Sequence, residues 1–248
     1  MKFITLLILS FLISTTVHSA MVADYQFNNN LTSTVVGAND LVDLGPGAYQ
    51  NTTVNGQNTT VFSFNEGEGL QLDTNGLVSD VYTIIFLVAI DDNSGYVKLA
   101  DFINLTQDTG LYNSDGNYGI YDIAFGAGVV INNNQYHQII MTRDASKVIN
   151  GYVDSQLQFN FTDSSDESVV SGANLLHFFR DDNTTGNSEN SAGRVARITI
   201  FDEALSFAQI NSFNGVTPAI IPTLSSYLLI GLFLLIGLFG ITAVRKHS

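Results

Sequence analysis

Tyr82-Thr83-Ile84-Ile85-Phe86-Leu87-Val88-Ala89-Ile90 is an unbroken apolar run near the middle of the chain. It is continuous rather than alternating, as expected of an inner β-strand with both faces covered. Working outward, shorter strand signals flank it. Val22 to Phe27, Val61 to Phe64 and Leu70 to Leu72 precede it. Tyr96 to Phe102, Tyr118 to Phe125 and Val129 to Ile131 follow. Tyr136 to Thr142 and Val148 to Val153 bracket Arg143-Asp144-Ala145-Ser146-Lys147, a good hairpin connection. Gln156 to Phe161 follows a tight Asp154-Ser155 turn, and Leu175 to Phe179 and Val195 to Phe201 complete the set. About a dozen short strands with regular turn signals predict an all-β, two-layer sandwich. The one helical signal in this region is Ala204 to Phe213, with Asp202 placed to cap it.

The two ends read differently. Lys2, the apolar run Phe3 to Val17 and the small residues Ser19-Ala20 predict a signal peptide over 1–20. Leu224 to Val244 is a 21-residue stretch without a charge, followed by Arg245, Lys246 and His247. That predicts one transmembrane helix over 224–244 and a basic cytoplasmic tail over 245–248. Pro218 and Pro222 predict a stiff linker over 215–223, which leaves 21–214 as one domain. The expected location is exported, at the cell envelope or surface, held at least transiently by that helix.

The chain has 248 residues, 23 acidic and 9 basic side chains, and no cysteine. All the acidic residues lie between Asp24 and Glu203, where only six basic residues balance them, a formal charge of −17. Nucleic acid is excluded as a partner, because phosphates require a basic footprint. Divalent cations and neutral glycans remain compatible. Without disulfides the domain must be held by its core.

Several segments resemble the laminin G-like, or concanavalin A-like, lectin/glucanase superfamily of jelly-roll sandwiches. They are Val22 to Asn28; Phe62-Ser63-Phe64-Asn65 with Gly67 and Gly69; Tyr82 to Val88; Tyr136 to Asp144 with Gly151-Tyr152-Val153-Asp154; and Gly193 to Ser206. Ser155 stands where the family's turn has glycine. The resemblance implies a concanavalin A-like jelly roll and leaves activity open, since this sandwich serves binding modules, hydrolases and spacers alike. Ile221-Pro222-Thr223-Leu224-Ser225 resembles an IPTL-type bacterial sorting signal, which implies an exosortase-like processing enzyme as a partner.

Chemistry is concentrated in Asp181-Asp182-Asn183-Thr184-Thr185-Gly186-Asn187-Ser188-Glu189. Three carboxylates, two amides and a glycine bend suit calcium, which takes six to eight oxygens in a flexible loop. Asp181, Asp182, Asn183 and Glu189 are the expected ligands, with Asp101 converging from the Tyr96 strand; a solvated acidic loop is the alternative. Asp91, Asp92, Asn93, Asp108, Asp115 and Asn117 read as turn residues. The Glu-any-Asp-any-any-Glu string of sandwich glucanases does not occur, and Glu66-Gly67-Glu68 reads as a turn. His137 and His177 alone make no zinc site. Tyr96, Tyr112, Tyr118, Tyr121 and Tyr136 are loop-adjacent aromatics suited to a sugar platform, though several must be core. The expectation is a non-catalytic adhesion or binding protein for a glycan or a surface protein. A hydrolase of the same fold, or a dedicated lectin, is the alternative.

Overall fold

The computed structural model describes residues 21–213. Fifteen strands and one short helix follow in chain order: β1 (Met21–Tyr25), β2 (Val42–Asp43), β3 (Ala48–Val54), β4 (Gln57–Phe64), β5 (Leu70–Asp73), β6 (Tyr82–Ile90), β7 (Tyr96–Asp101), β8 (Gly110–Ser114), β9 (Asn117–Tyr121), β10 (Ala124–Phe125), β11 (His137–Arg143), β12 (Val148–Val153), β13 (Gln156–Thr162), β14 (Leu175–Phe178), β15 (Gly193–Phe201) and α1 (Phe207–Ser212). They form two sheets. One runs β13-β12-β11-β6-β15-β4-β3, with β1 also paired to β15, and the other runs β10-β9-β8-β7-β14-β5-β2. Every strand pairing is antiparallel.

All nine residues of β6 are buried. Tyr82, Ile84, Phe86, Val88 and Ile90 point into the space between the sheets. There Phe86 meets Phe178 and Phe179 edge-on at ring-centroid distances of 5.6 and 5.7 Å, and Phe179 stacks on Phe64 at 4.6 Å. The other face of β6 is covered as well. Ile85 packs with Ile140, Phe201, Leu205, Ile210 and Phe213, the last three in or beside α1. The helix is capped by Ser206, whose hydroxyl accepts from the Gln209 N–H while the Gln209 side chain accepts from the Ser206 N–H. The predicted cap, Asp202, lies outside that box; a capping box needs its partner three residues on, and only Ser206 has one.

The strand expected at Val129 to Ile131 is irregular, and Tyr118 to Phe125 divides into β9 and β10 at a turn. At the β12–β13 turn Asp154 and Ser155 both adopt positive φ, 49° and 64°. These are the signs of a type I′ turn, kept here without the family's glycine.

The architecture requires one correction. Among the described residues no helix is long and apolar enough to cross a membrane, and α1 has only six residues. The segments expected to be the signal peptide, linker, membrane-spanning helix, basic tail and sorting signal lie outside the described residues, as does position 214, the last of the expected domain. Single-pass anchoring, its envelope location and a processing-enzyme partner therefore have no support in the structure and are carried no further.

Phe86→Ala should lower unfolding free energy by about 3–5 kcal/mol, because a cavity opens where three aromatic rings meet. Phe207→Ala, on a half-exposed ring, should change it by about 0.5 kcal/mol or less; urea titration compares the two. Ser155→Gly should raise stability by about 0.5–1 kcal/mol, since glycine carries no left-handed penalty. A lower urea midpoint would contradict that reading of the turn.

Candidate functional site

Strands β7 to β10 make one half of the second sheet. Val97, Leu99, Leu111, Tyr118 and Ile120 point to the core. The alternate positions Tyr96, Lys98, Tyr112, Gly119 and Tyr121 therefore lie on the outer face. Register places Lys98 opposite Tyr112, Tyr112 opposite Gly119, and Gly119 opposite Phe125. Gly119 has no side chain, and a Cβ there would come within 2.5 Å of the Phe125 ring. The ring thus lies across the strand.

An aromatic cluster results. Tyr96 meets Tyr121, Tyr112 and Phe125 at 5.2, 6.1 and 6.2 Å, and Tyr112 meets Tyr121 at 5.6 Å. Tyr96 is 41% exposed and Phe125 37%, whereas Tyr112 is buried beneath them. Of the five tyrosines singled out from sequence, three converge here. Tyr118 instead enters the core and donates its hydroxyl to the Ile140 carbonyl at 3.1 Å. Tyr136 packs half-buried on a separate patch with Val54, Val61, Leu87 and Ala196. Phe125 was missed because its strand and the preceding one read as a single run.

Behind the rings lies the acidic loop. Asp101, Asp181 and Asp182 come together, but around an ammonium. Lys98 Nζ bonds to Asp182 Oδ2, with Asp181 Oδ1 at 3.5 Å and Asp101 Oδ2 at 3.7 Å, and all four side chains are fully buried. The same ammonium lies 5.0 Å from the centre of the Tyr112 ring. The outer oxygens of the carboxylates order backbone. Asp101 Oδ1 accepts from the N–H groups of Ile103 and Leu105 at 3.1 and 2.8 Å. Asp182 Oδ1 accepts from the Thr184 N–H at 2.6 Å, and Asp181 Oδ2 from the Thr185 hydroxyl at 2.6 Å and the Glu189 N–H at 2.9 Å.

Burial pushes the Asp182 carboxyl up, but hydrogen bonds from Lys98 and Thr184, together with the Lys98 charge, outweigh it and leave its pKa below the usual carboxylate range. Asp101 is raised, chiefly by burial. Glu189 is also raised, by burial first and then by Asp108 nearby. One Glu189 oxygen is buried without a hydrogen-bond partner. The Tyr112 hydroxyl donates to Asp108 Oδ1 at 3.1 Å. Asn183, expected as a ligand, is exposed and bonds through its N–H to the Leu105 carbonyl at 3.3 Å.

The set does not fit calcium as it stands. The place a divalent ion would take between Asp101, Asp181 and Asp182 is filled by the Lys98 ammonium. Among the described residues no group of three or more His, Cys, Asp or Glu side chains is arranged to hold a metal ion. Sequence alone singled out three of the carboxylates that meet but gave no role to Lys98, whose only local signal was an outward strand phase and an aspartate three residues on.

The remaining candidates are used in turns. Asp91 pairs with Arg194 at 2.7 Å, and Asp115 accepts from the Gly95 N–H at 2.8 Å. Glu68 closes its turn by accepting from the Asn65 N–H at 2.8 Å.

No protein-family model matches the chain, and no curated protein matches it in sequence. Solved structures do match. Domain 4 of AbnA, a GH43 extracellular arabinanase from Geobacillus stearothermophilus, solved in complex with arabinotriose, matches with a TM-score of 0.63 and 16% identity, over 78% of this chain and 97% of that one. The botulinum neurotoxin serotype D ligand binding domain, solved with N-acetylneuraminic acid, matches with a TM-score of 0.55 and 17% identity, over 77% of this chain and 49% of that one. A structure of botulinum neurotoxin type C, whose cell entry depends on interaction with two ganglioside molecules, matches with a TM-score of 0.56 and 13% identity, over 78% and 50%. This chain thus spans about half the length of the two toxin chains. At these identities the likeness shows a shared all-β, two-sheet β-sandwich fold.

His177, on β14 beside Asp101, is buried, with Nε2 3.1 Å from Gln71 Oε1. Burial, with Arg180 nearby, lowers its pKa to about 4 from an ordinary 6.5. The unfolded chain therefore takes up a proton between pH 6.5 and 4 that the folded domain refuses. The stability this neutral histidine supports is complete above 6.5 and is lost as pH falls towards 4. His177→Gln should flatten that part of the stability-against-pH curve. Parallel curves for the two proteins would refute the assignment.

Proposed function

We propose that the domain is a non-catalytic carbohydrate-binding module whose contact surface is the Tyr96–Tyr121–Phe125 cluster. The observation that carries this reading is the contiguous group of rings on the outer face of β7 to β10, with Tyr96 and Phe125 exposed, Tyr121 half-buried between them, and carboxylates at the border. Sugar rings present C–H faces that lie against aromatic rings and hydroxyls that donate to carboxylates. Asp108, Glu189 and Asp122 surround Tyr121 closely enough to raise its pKa, Asp108 most of all. Such a border supplies acceptors for hydroxyls and repels anions. The favoured ligands are therefore neutral saccharides, and sialylated or uronate-bearing ones are disfavoured. The solved match holding a neutral arabinotriose supports this choice over the sialic acid held by the toxin domain, as an analogy of fold.

Titration calorimetry against a panel of neutral oligosaccharides and their anionic counterparts tests the proposal. Tyr96→Ala and Tyr121→Ala should each weaken binding about tenfold, equivalent to about 1.4 kcal/mol. Phe207→Ala, on α1 behind the opposite sheet, should leave affinity unchanged. Failure of every neutral saccharide, or binding untouched by loss of Tyr96, would sink the platform.

A further inference from the structure

We infer that Lys98 is a built-in cation, whose ammonium does for the Asp181–Glu189 loop what a bound divalent ion would do. The wild-type domain has no need of calcium for that reason. The inference stands apart from the carbohydrate reading, because it concerns the buried charges behind the rings.

Three observations carry it. First, the carboxylates of Asp101, Asp181 and Asp182 come from two chain segments and aim one oxygen each at the same point, where Nζ sits. Their other oxygens are spent on backbone N–H groups and a hydroxyl that shape the two loops. The ammonium thus sits where the carboxylates of both loops converge, as a bound cation would. Second, the group is fully buried, so three like charges could not persist there without a cation. Third, the cation is covalently part of the sheet. Lys98 lies on β7, and its own N–H donates to the Glu189 carbonyl at 2.9 Å, so strand and loop are joined at both the backbone and the side chain.

Three carboxylates against one ammonium leave an excess of negative charge. Removing the lysine would enlarge that excess, open the space Nζ fills and leave hard oxygen donors around it. Three carboxylate oxygens would then face an open position, a partial oxygen set that calcium in excess should complete with water.

The test compares the full chain with Lys98→Met in a thermal melt, in EDTA and in millimolar calcium chloride. The wild-type Tm should be the same in both buffers. In EDTA the variant should melt about 10 °C lower, as expected when one partner of a buried pair is removed. Calcium should restore part of that loss, increasingly with concentration. Terbium emission sensitised by tyrosine should appear in the variant alone, because the Tyr112 ring is 5.0 Å from the vacated position. A wild-type Tm raised by calcium, a variant as stable as wild type, or a destabilised variant indifferent to calcium and silent with terbium would each overturn the inference. If Lys98→Met is unfolded in both buffers, the Lys98→Met/Asp182→Asn double variant decides. Recovery of a cooperative, calcium-indifferent melt supports charge compensation, and an unfolded double variant refutes it.

Discussion

Strand β6 has no exposed face, and this constraint organises the molecule. Its inward residues need a second sheet opposite them, and its outward residues need a cover on the first sheet's back. β11 and β15 satisfy its backbone groups on either side, in a register that aligns Ile139 and Ile198 with Phe86. The helix over Ile85 and Phe201 removes the remaining apolar area from water. With no cysteine available, this burial and the aromatic stack of Phe64, Phe86 and Phe179 hold the two layers together.

Buried charge does the rest of the positioning, in three clusters that each set carboxylates against a cation. Asp24 on β1 accepts from Arg197 Nε at 2.6 Å and from the Thr199 hydroxyl at 3.1 Å, which ties the first strand to the last. Arg143, at the end of β11, reaches Asp163 at 3.0 Å and the Asp80 carbonyl at 2.7 Å. Lys98 completes the set on the other sheet. Ion pairs of this kind add little net stability over an apolar replacement, but losing one partner is costly, so they favour one arrangement of loops over others.

Much of the sandwich was legible because its central strands obey a simple rule. β6 and β12 begin and end where the apolar pattern does, and β5, β7 and β13 differ by a residue. The strands that escaped notice are those whose environment departs from that rule. β3, Ala-Tyr-Gln-Asn-Thr-Thr-Val, is a largely exposed edge strand, and its sequence is as polar as a loop. β8, Gly-Leu-Tyr-Asn-Ser, buries an asparagine among apolar neighbours because the Asn93 carbonyl accepts from it. The same limit applied to the site. Clustered aspartates are visible in one dimension, whereas a lysine 84 residues from its carboxylate is connected only by folding.

The sandwich has two unlike sides. Met21 and Phe213, the first and last described residues, pack against the same apolar cluster on the back of the helix-covered sheet. The tyrosines lie on the outward surface of the other sheet. The two ends of the described domain therefore lie together on the sheet away from the rings, which leaves the outer face of β7 to β10 clear of both of them.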